Sequence, residues 1–254
     1  MRLSETKFLI IDLETTGLDH TKDKVVEVAA MFFNINGNER LSYKKMCNPG
    51  IPIPPSASAV HHITDEMVQD EKPFEDGCPW LFNPEYFSGE APSTTSFPDF
   101  NCLVGHNIVG FDNKFLPEHN YPVLDTMLLA KKVWPDMESY SNQYLRYYHK
   151  LYLIDGVGRS AHEALSDVRV TSEILKKLIH DVKSMKISKG EDTQGIMLSD
   201  IIAWSLVPNL LKVCRFGKHK DRLWSEIPKD YLQWMDKNMK DMDADTKFTV
   251  QHYL

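Results

Sequence analysis

Two acidic residues near the amino terminus have the type and spacing to bind a metal ion. Asp12 and Glu14 follow the apolar run Phe8–Ile11 in an Asp-x-Glu pattern. Residues two apart on a β-strand point to the same face, so these carboxylates repel each other unless a cation lies between them. Such oxygen-rich sites suit Mg²⁺ or Mn²⁺. The alternative is a strand that ends in two solvated acids, and an Asp-x-Glu pair on its own favours that alternative.

A second group of polar residues follows a short apolar segment in the middle of the chain. His106 and Asn107 come first, and we expect a helix to begin after them. Asp112 then lies in the first turns of that helix, where the helix dipole favours a negative charge. The helix is predicted to bury Phe111 and Phe115, which are four residues apart.

A third group opens a long helical segment that we expect to run to about Ser184. His162 precedes or begins this helix, and Asp167 lies just over one turn later on a nearby face. Taken alone, a histidine and a carboxylate at this spacing are typical of an exposed pair. The helix is predicted to bury a stripe formed by Ala164, Val168, Thr171, Ile174, Leu175, Leu178 and Ile179.

Several strands and helices must position these groups. After the first strand we predict strands over Val25–Asn36 and Leu41–Cys47, joined by a hairpin at Asn36–Asn38 in an antiparallel meander. A further strand is expected over Val123–Thr126. The predicted helices follow the candidate N-caps Ser56 and Thr64, and cover Thr126–Val133, Ser141–His149 and, broken at Pro208, Ile196–Val213. We interpret the adjacent His61 and His62 as packing or substrate-facing residues.

Length and composition indicate one core domain with a small appendage. The chain has 254 residues, of which 42% are hydrophobic and 26% charged, as is typical of a globular protein. We predict a main domain over residues 1–189 and a C-terminal module over residues 190–254. Residues 72–101 lack periodicity and are predicted to be a surface insertion. The insertion contains the aromatic residues Phe74, Trp80, Phe82, Tyr86 and Phe87. They either stack on bases or, as we favour, pack the insertion against the main domain.

Charge and cysteine content narrow the class of protein. The net charge of −7 argues against a globally basic surface for nucleic acid. The four cysteines are far apart and are interpreted as reduced thiols. We find no pattern typical of a signal peptide or of a membrane span, and therefore expect a cytoplasmic protein without a membrane partner.

The C-terminal module carries the densest positive group in the chain, which consists of Arg215, Lys218, Lys220 and Arg222. Aromatic residues are interleaved with it and follow it, namely Phe216, Trp224, Tyr231 and Trp234. They would suit a stacking platform for bases or the core of a very small domain, and the pattern supports both interpretations equally.

Together, these groups resemble the DEDDh family of proofreading-type 3′→5′ exonucleases. The first matching segment is Asp12-Leu-Glu14-Thr-Thr-Gly17, and the second runs from His106-Asn107 to Phe111-Asp112. The third consists of His162 and Asp167, which are separated by four residues. Phe216-Gly-Lys and Tyr231-Leu-Gln-Trp234 are similar to the exodeoxyribonuclease X branch of that family, so that the resemblance spans nearly the whole chain. Asp221 stands where that branch usually has glycine, and Asp tolerates positive φ better than most residues.

The resemblance implies an α/β, ribonuclease H-like exonuclease fold, with a mixed central sheet flanked by helices and a small α-rich C-terminal appendage. It implies hydrolysis at DNA 3′ ends, single-stranded or duplex, with release of nucleoside 5′-monophosphates. Two Mg²⁺ or Mn²⁺ ions would be held by Asp12, Glu14, Asp112 and Asp167, with Asp112 acting partly through water. His162 would take a proton from the attacking water at neutral pH.

The resemblance also implies contacts to the terminal nucleotide. Thr15 and Thr16 would meet it with backbone and hydroxyl groups, and Gly17 would let the backbone approach. Leu18 would pack against its base, while Asn107 and Phe111 would line its pocket. For Leu18 and Phe111, simple core packing is the alternative. Asp19 has no place in this scheme, because an acid beside a DNA end repels phosphate unless it points away.

Two other functions compete with a DNA exonuclease that acts in repair or replication. An exoribonuclease would use the same chemistry, since the sequence does not reveal whether the pocket demands a 2′-hydroxyl. A catalytically silent nuclease-fold module that binds DNA or protein is the other candidate. All five expected catalytic residues are present, which argues against a silent module.

Overall fold

The computed structural model describes residues 1–34, 42–78, 100–154, 157 and 164–254. Within them, a five-stranded sheet has the order β3-β2-β1-β4-β5. Its strands are β1 (Lys7–Thr15), β2 (Val25–Asn34), β3 (Ser42–Met46), β4 (Cys102–Gly105) and β5 (Val123–Asp125). The first three strands pair antiparallel, whereas β1 with β4 and β4 with β5 pair parallel. The predicted mixed sheet is confirmed.

The helices are α1 (Pro55–His61), α2 (Asp65–Val68), α3 (Phe74–Gly77), α4 (Thr126–Val133), α5 (Asn142–Tyr148), α6 (Ala164–Ser188), α7 (Leu198–Leu206), α8 (Lys229–Asn238) and α9 (Ala244–Tyr253). None of the described helices is long and apolar enough to cross a membrane.

The sheet is buried on both faces, which explains why β2 is apolar almost throughout. Every residue of β2 except Asn34 is buried, as expected for a strand covered on both sides. On one face, Phe8 and Ile10 pack in the cluster that includes the predicted stripe of α6. On the other face, Leu9 and Ile11 pack with Phe74, whose ring is buried. For Phe74, pinning of the insertion to the body is confirmed.

The C-terminal region contains two kinds of packing. Ile196, Leu198 and Ile201 are buried in the cluster beneath the sheet, whereas a separate cluster is centred on Trp224 and Met235. The predicted domain boundary at residue 189 stays a prediction, and the change between clusters comes later in the chain, between residues 201 and 214.

Three local predictions are wrong for identifiable reasons. For Ile196–Val213, the predicted break at Pro208 is confirmed, because α7 ends at Leu206 and proline disfavours helical backbone just before it, whereas the predicted helix beyond the break is wrong. Ser56 is not an N-cap, because α1 begins at Pro55 and proline suits the first helical position. After Asn107 there is only a 3₁₀ turn over Asp112–Lys114. Thr64 does precede α2 as predicted.

Two other predictions meet different outcomes. His61 is buried, and its Nδ1 accepts a hydrogen bond from the Ile63 amide at 3.0 Å, so it is a packing residue. His62 ends α1 in the left-handed conformation, with φ of 63°. The hairpin at Asn36–Asn38 and the insertion aromatics at positions 80–87 lie outside the described residues.

Candidate active site

Three of the predicted metal ligands lie together at one end of the sheet. Asp12 and Glu14 are alternate residues of β1, and Asp167 lies in the first turn of α6. One carboxylate oxygen from each lies within 4.8 Å of the other two. β1 continues past the last residue that pairs with β4, at Ile10, so its acidic end lies at the carboxyl edge of the parallel strands, where α/β proteins commonly bind ligands.

The fourth predicted ligand, Asp112, is buried next to β1 and accepts a hydrogen bond from its backbone. It is 3% exposed, and its Oδ1 accepts a hydrogen bond from the Leu13 amide at 3.0 Å. The Leu13 amide lies beyond the β1–β4 ladder, so the Asp112 carboxylate takes the place of a strand neighbour. Asp112 also raises the pKa of Asp12, which places both charges in one electrostatic group.

The carboxylates of this cluster have raised pKa values, because burial and mutual repulsion disfavour their negative charges. Burial, followed by repulsion from Asp167 and Glu27, raises the pKa of Glu14 to about 8. Burial likewise raises the pKa of Asp112 to about 7, and it raises the pKa of Asp12 well above its usual range. A hard divalent cation would remove this repulsion, and carboxylate oxygens are its preferred ligands. The donor set therefore fits a divalent metal.

Asp167 is held by a side-chain relay from α5 that the sequence did not reveal. Gln143 Nε2 donates to Asp167 Oδ1 at 2.6 Å, and the buried Arg146 donates through Nη1 to Gln143 Oε1 at 3.0 Å. Asn142 Nδ2 donates to Thr171 Oγ1 at 2.8 Å, on the next turn of α6. The only sequence signal was the pair of amide residues at the start of the predicted helix.

A fifth carboxylate, Glu27, supports the cluster from β2. It is 2% exposed and lies directly opposite Glu14 in the antiparallel register. Its oxygens pair with Lys44 Nζ at 3.1 Å and accept the Ala164 amide at 3.3 Å. Glu27 therefore ties the first residue of the Asp167 helix to the sheet. A lone glutamate within the apolar β2 was the signal for it.

The loop after Glu14 is built around Asp23, another residue that sequence reasoning missed. Asp23 Oδ1 accepts from Thr16 Oγ1 at 3.0 Å, and Asp23 Oδ2 accepts from the Asp19 amide at 2.8 Å. Gly17 leaves no room for a side chain, because an added Cβ would lie 2.5 Å from Asp23 Oδ2. Thr15 Oγ1 donates to the Gly17 carbonyl at 2.6 Å. The threonine hydroxyls thus hold the loop, and their predicted contacts to substrate stay predictions.

The tip of this loop presents an apolar side chain to solvent. Leu18 is 85% exposed, so simple core packing is wrong for this residue. Asp19 is also explained, because it accepts hydrogen bonds from Thr21 and pairs with Lys22 at 3.1 Å. The hydrogen bonds from Thr21 and Lys22 lower the pKa of Asp19 to about 2. Asp19 closes its own turn.

Asp125 organises the second predicted motif. Its carboxylate accepts the amides of Asn107 and Val109, each at 3.1 Å, and those of Met127 and Leu128 at the start of α4. Asn107 has a φ of 69°. These side-chain bonds compete with helical bonding, which explains why the expected helix is absent after Asn107. Phe111 is half-buried against Phe115, with ring centroids 5.1 Å apart.

The remaining histidines of the predicted motifs differ in what the structure says of them. His106 is fixed by Thr126 Oγ1 at 2.9 Å and the Tyr140 carbonyl at 2.7 Å, and burial lowers its pKa. Both ring nitrogens of His106 are therefore used in holding the fold. His162, the predicted general base, lies outside the described residues.

A mixed sheet that presents clustered, mutually repelling carboxylates at the carboxyl edge of its parallel strands defines a candidate divalent-metal site. Comparison with known proteins extends this result. The exonuclease family profile RNase_T matches residues 9–175. The chain belongs to this exonuclease family, as its motifs predicted.

One similar protein covers nearly all of the chain, and two similar structures cover about three quarters of it. Exodeoxyribonuclease 10 of Escherichia coli K12 is 29% identical over 248 residues, which is 96% of this chain and 97% of that one. The structure of Exonuclease X in complex with 5′ overhanging duplex DNA is similar with a TM-score of 0.56 and 28% identity, over 77% of this chain and 99% of that one. E. coli Exonuclease I in complex with a dT13 oligonucleotide, with a TM-score of 0.52 and 19% identity over 73% of this chain and 43% of that one, shows likeness of fold alone.

Proposed function

We propose that this exonuclease removes nucleotides from DNA 3′ ends as nucleoside 5′-monophosphates, in a reaction that requires two Mg²⁺ or Mn²⁺ ions. The observation that carries the proposal is the convergence of Asp12, Glu14 and Asp167 within 4.8 Å. DNA is favoured over RNA because the similarity to Exodeoxyribonuclease 10 extends over 96% of the chain. A role in DNA repair or replication follows from such an activity.

The residues of the chain have distinct parts in this proposal. Asp12, Glu14 and Asp167 would hold the ions, and Gln143 would keep the Asp167 carboxylate turned toward them. Asp112 would act partly through water, since one of its oxygens accepts the Leu13 amide. When bound, the ions stabilise negative charge on the attacking and leaving oxygens. His162 would accept the proton of the attacking water, because an imidazole titrates near neutral pH.

The substrate would be positioned at the carboxyl edge of the sheet. The exposed Leu18 would pack against the terminal base, and removal of its side chain from water would favour binding. Asn107 and Phe111 would line the pocket on the opposite side. Thr15, Thr16 and Gly17 would support the terminal nucleotide through the loop that Asp23 organises.

The decisive experiment uses 5′-labelled oligonucleotides in DNA and RNA versions, incubated with Mg²⁺ or EDTA. We expect metal-dependent shortening of DNA from the 3′ end by the wild type, loss of activity in Asp12→Ala and His162→Ala, and full activity in the exposed control Glu118→Ala. Intact oligonucleotides with the wild type, or equal degradation by Asp12→Ala, would refute the enzyme proposal. Preferential shortening of RNA would instead establish an exoribonuclease.

A further inference from the structure

The C-terminal module has a stacked aromatic pair of which one ring, Trp234, is exposed and lies outside the module core. Trp224 is fully buried, whereas Trp234 is 51% exposed. The Trp234 ring stacks on Tyr231 with centroids 5.6 Å apart and an angle of 26° between planes. α8 meets the module core through Leu232 and Met235, with Tyr231 packed partly against it, which leaves Trp234 as the exposed member of the pair. The two interpretations of the aromatic residues thus apply to different residues: core for Trp224, surface for Trp234.

The loop that carries Lys218 and Lys220 contacts Tyr231 of this pair. Gly217 has a φ of 67°, and an added Cβ would lie 3.3 Å from Tyr231 Oη. The His219 ring lies edge-on to the Tyr231 ring at 4.5 Å. Lys218 lies in the sequence between these two contact residues, and both Lys218 and Lys220 are exposed. In the part of the chain that the structure describes, neither lysine forms an ion pair.

The loop that carries the lysines also depends on a left-handed residue at its end. Asp221 has a φ of 65°, as the sequence comparison with glycine at this position predicted. Its carboxylate lies 3.6 Å from Arg215. This ion pair offsets the charge of Arg215, so that, among the described residues, Lys218, Lys220 and Arg222 are the exposed cations of the loop outside an ion pair.

A cleft lies between the C-terminal module and the segment that precedes α5. The cleft encloses about 200 Å³ and is lined by Tyr140, Arg215 and Phe216, among other residues. Tyr140 is three residues before Gln143, whose side chain contacts Asp167. The module therefore meets the main domain close in sequence to α5, whose Gln143 side chain holds Asp167.

We propose that the Tyr231–Trp234 pair, with Lys218 and Lys220, binds single-stranded nucleic acid away from the catalytic centre. Unpaired bases stack on exposed aromatic rings, while lysines bind the adjoining phosphates. The chain has a net charge of −7, so exposed cations outside an ion pair are a local feature. Beside an exposed aromatic ring they suit nucleic acid, which offers both phosphates and bases, better than they suit an acidic protein. The proposal rests on the proposed function, because the held strand is the one whose end is hydrolysed.

Binding in EDTA tests the surface without catalysis. The probes are fluorescein-labelled dT20, which can reach both sites, and dT4, which is too short to do so. We expect Trp234→Ala to weaken dT20 binding about tenfold, the range measured for loss of one stacked base, and to leave dT4 binding unchanged. Trp204→Ala, at a half-exposed tryptophan of α7, is the matched control and should bind both probes like the wild type.

A second variant guards against loss of folding. Lys218→Ala/Lys220→Ala changes only exposed side chains, and it should reduce the salt dependence of log Kd for dT20 by about 1.4, since each phosphate contact to a single strand contributes about 0.7. Lys240→Ala/Lys247→Ala is the control on the same module. Unchanged dT20 binding in both the tryptophan and the lysine variants would overturn the proposal, as would equal Trp234 dependence for a blunt duplex.

The outcome is separable from that of the proposed function. Hydrolysis of dT4 in Mg²⁺ reports the catalytic site alone, and Trp234→Ala should retain it. If the wild type does not hydrolyse dT4, the proposed function is refuted. Binding of dT20 in EDTA would still test the proposed surface. Intact dT4 hydrolysis with unchanged dT20 binding in every variant would refute the surface and leave the enzyme standing.

Discussion

Replacement of Glu14 with glutamine is expected to stabilise the metal-free protein at neutral and alkaline pH. Burial, followed by repulsion from Asp167, Glu27 and Asp112, raises the pKa of Glu14 from 4.5 to about 8 in the fold. One pKa unit corresponds to about 1.4 kcal/mol, so the full difference amounts to about 5 kcal/mol against the ionised form. Because Glu14 is partly exposed and solvent screens its charge, we expect about 2 kcal/mol.

The direction of the pH effect follows from proton linkage. The folded protein binds the Glu14 proton more tightly than the unfolded chain does, so the stability from this group is fully present below about pH 4.5 and is lost as the pH rises to about 8. Asp112, with a pKa near 7, adds to the loss in the same window. Glutamine has no proton to lose, so Glu14→Gln should show a weaker decline.

Thermal melts in EDTA between pH 5 and 8.5 would measure this effect. A difference of about 2 kcal/mol corresponds to about 4–8 °C for a chain of this size, so Glu14→Gln should melt above the wild type at pH 8.5 and close to it at pH 5. Glu118→Gln is the exposed control. Mn²⁺ should raise the melting temperature of the wild type more than that of Glu14→Gln. Parallel pH profiles for the wild type and Glu14→Gln would refute the reasoning.

Three further changes test the surroundings of the cluster. Gln143→Leu removes the donor to Asp167 and should weaken Mn²⁺ binding about tenfold, measured by calorimetry. Asp125→Ala leaves four backbone amides without their acceptor and should lower the free energy of unfolding by about 2–3 kcal/mol in urea denaturation. Gly17→Ala forces the loop away from Asp23 and should lower kcat/KM for an oligonucleotide by about 10–100-fold.

Each of these changes has a matched control. Gln233→Leu alters an exposed glutamine on α8 and should leave Mn²⁺ affinity at the wild-type value. Asp243→Ala removes an N-cap that accepts one amide, from Thr246, and should cost about 1 kcal/mol. Gly195→Ala places its Cβ 3.3 Å from one oxygen of the exposed Asp192 side chain, which can move aside, and should leave kcat/KM intact. A control that matches its partner variant would contradict the assigned contact.

The sequence predicted the strands and long helices well, because their burial patterns are local. The apolar run of β1 and the apolar stripe of α6 are both visible in residues that are close together in the sequence. The turn after Asn107 was predicted wrongly as a helix, because its hydrogen-bond acceptor, Asp125, is 18 residues further along the chain. A side chain that distant leaves no trace in local periodicity.

The candidate site shows the same division. Asp12, Glu14, Asp112 and Asp167 were predicted from motifs, and the structure brings the first, second and fourth together. Glu27 and Gln143 were missed, since their roles arise from strand register and from helix docking. Leu18 illustrates a choice that only the structure settles, because an apolar residue in a loop has the same letter whether it is buried or exposed.

The Asp112 carboxylate that completes the edge of β1 offers a direct spectroscopic readout. Its Oδ1 accepts the Leu13 amide proton, and amide proton chemical shifts respond strongly to the charge of their acceptor. The Leu13 resonance should therefore move as Asp112 gains or loses its proton and again when cations enter the site. A single backbone amide in an NMR spectrum would follow the loading of this site, without substrate and without turnover.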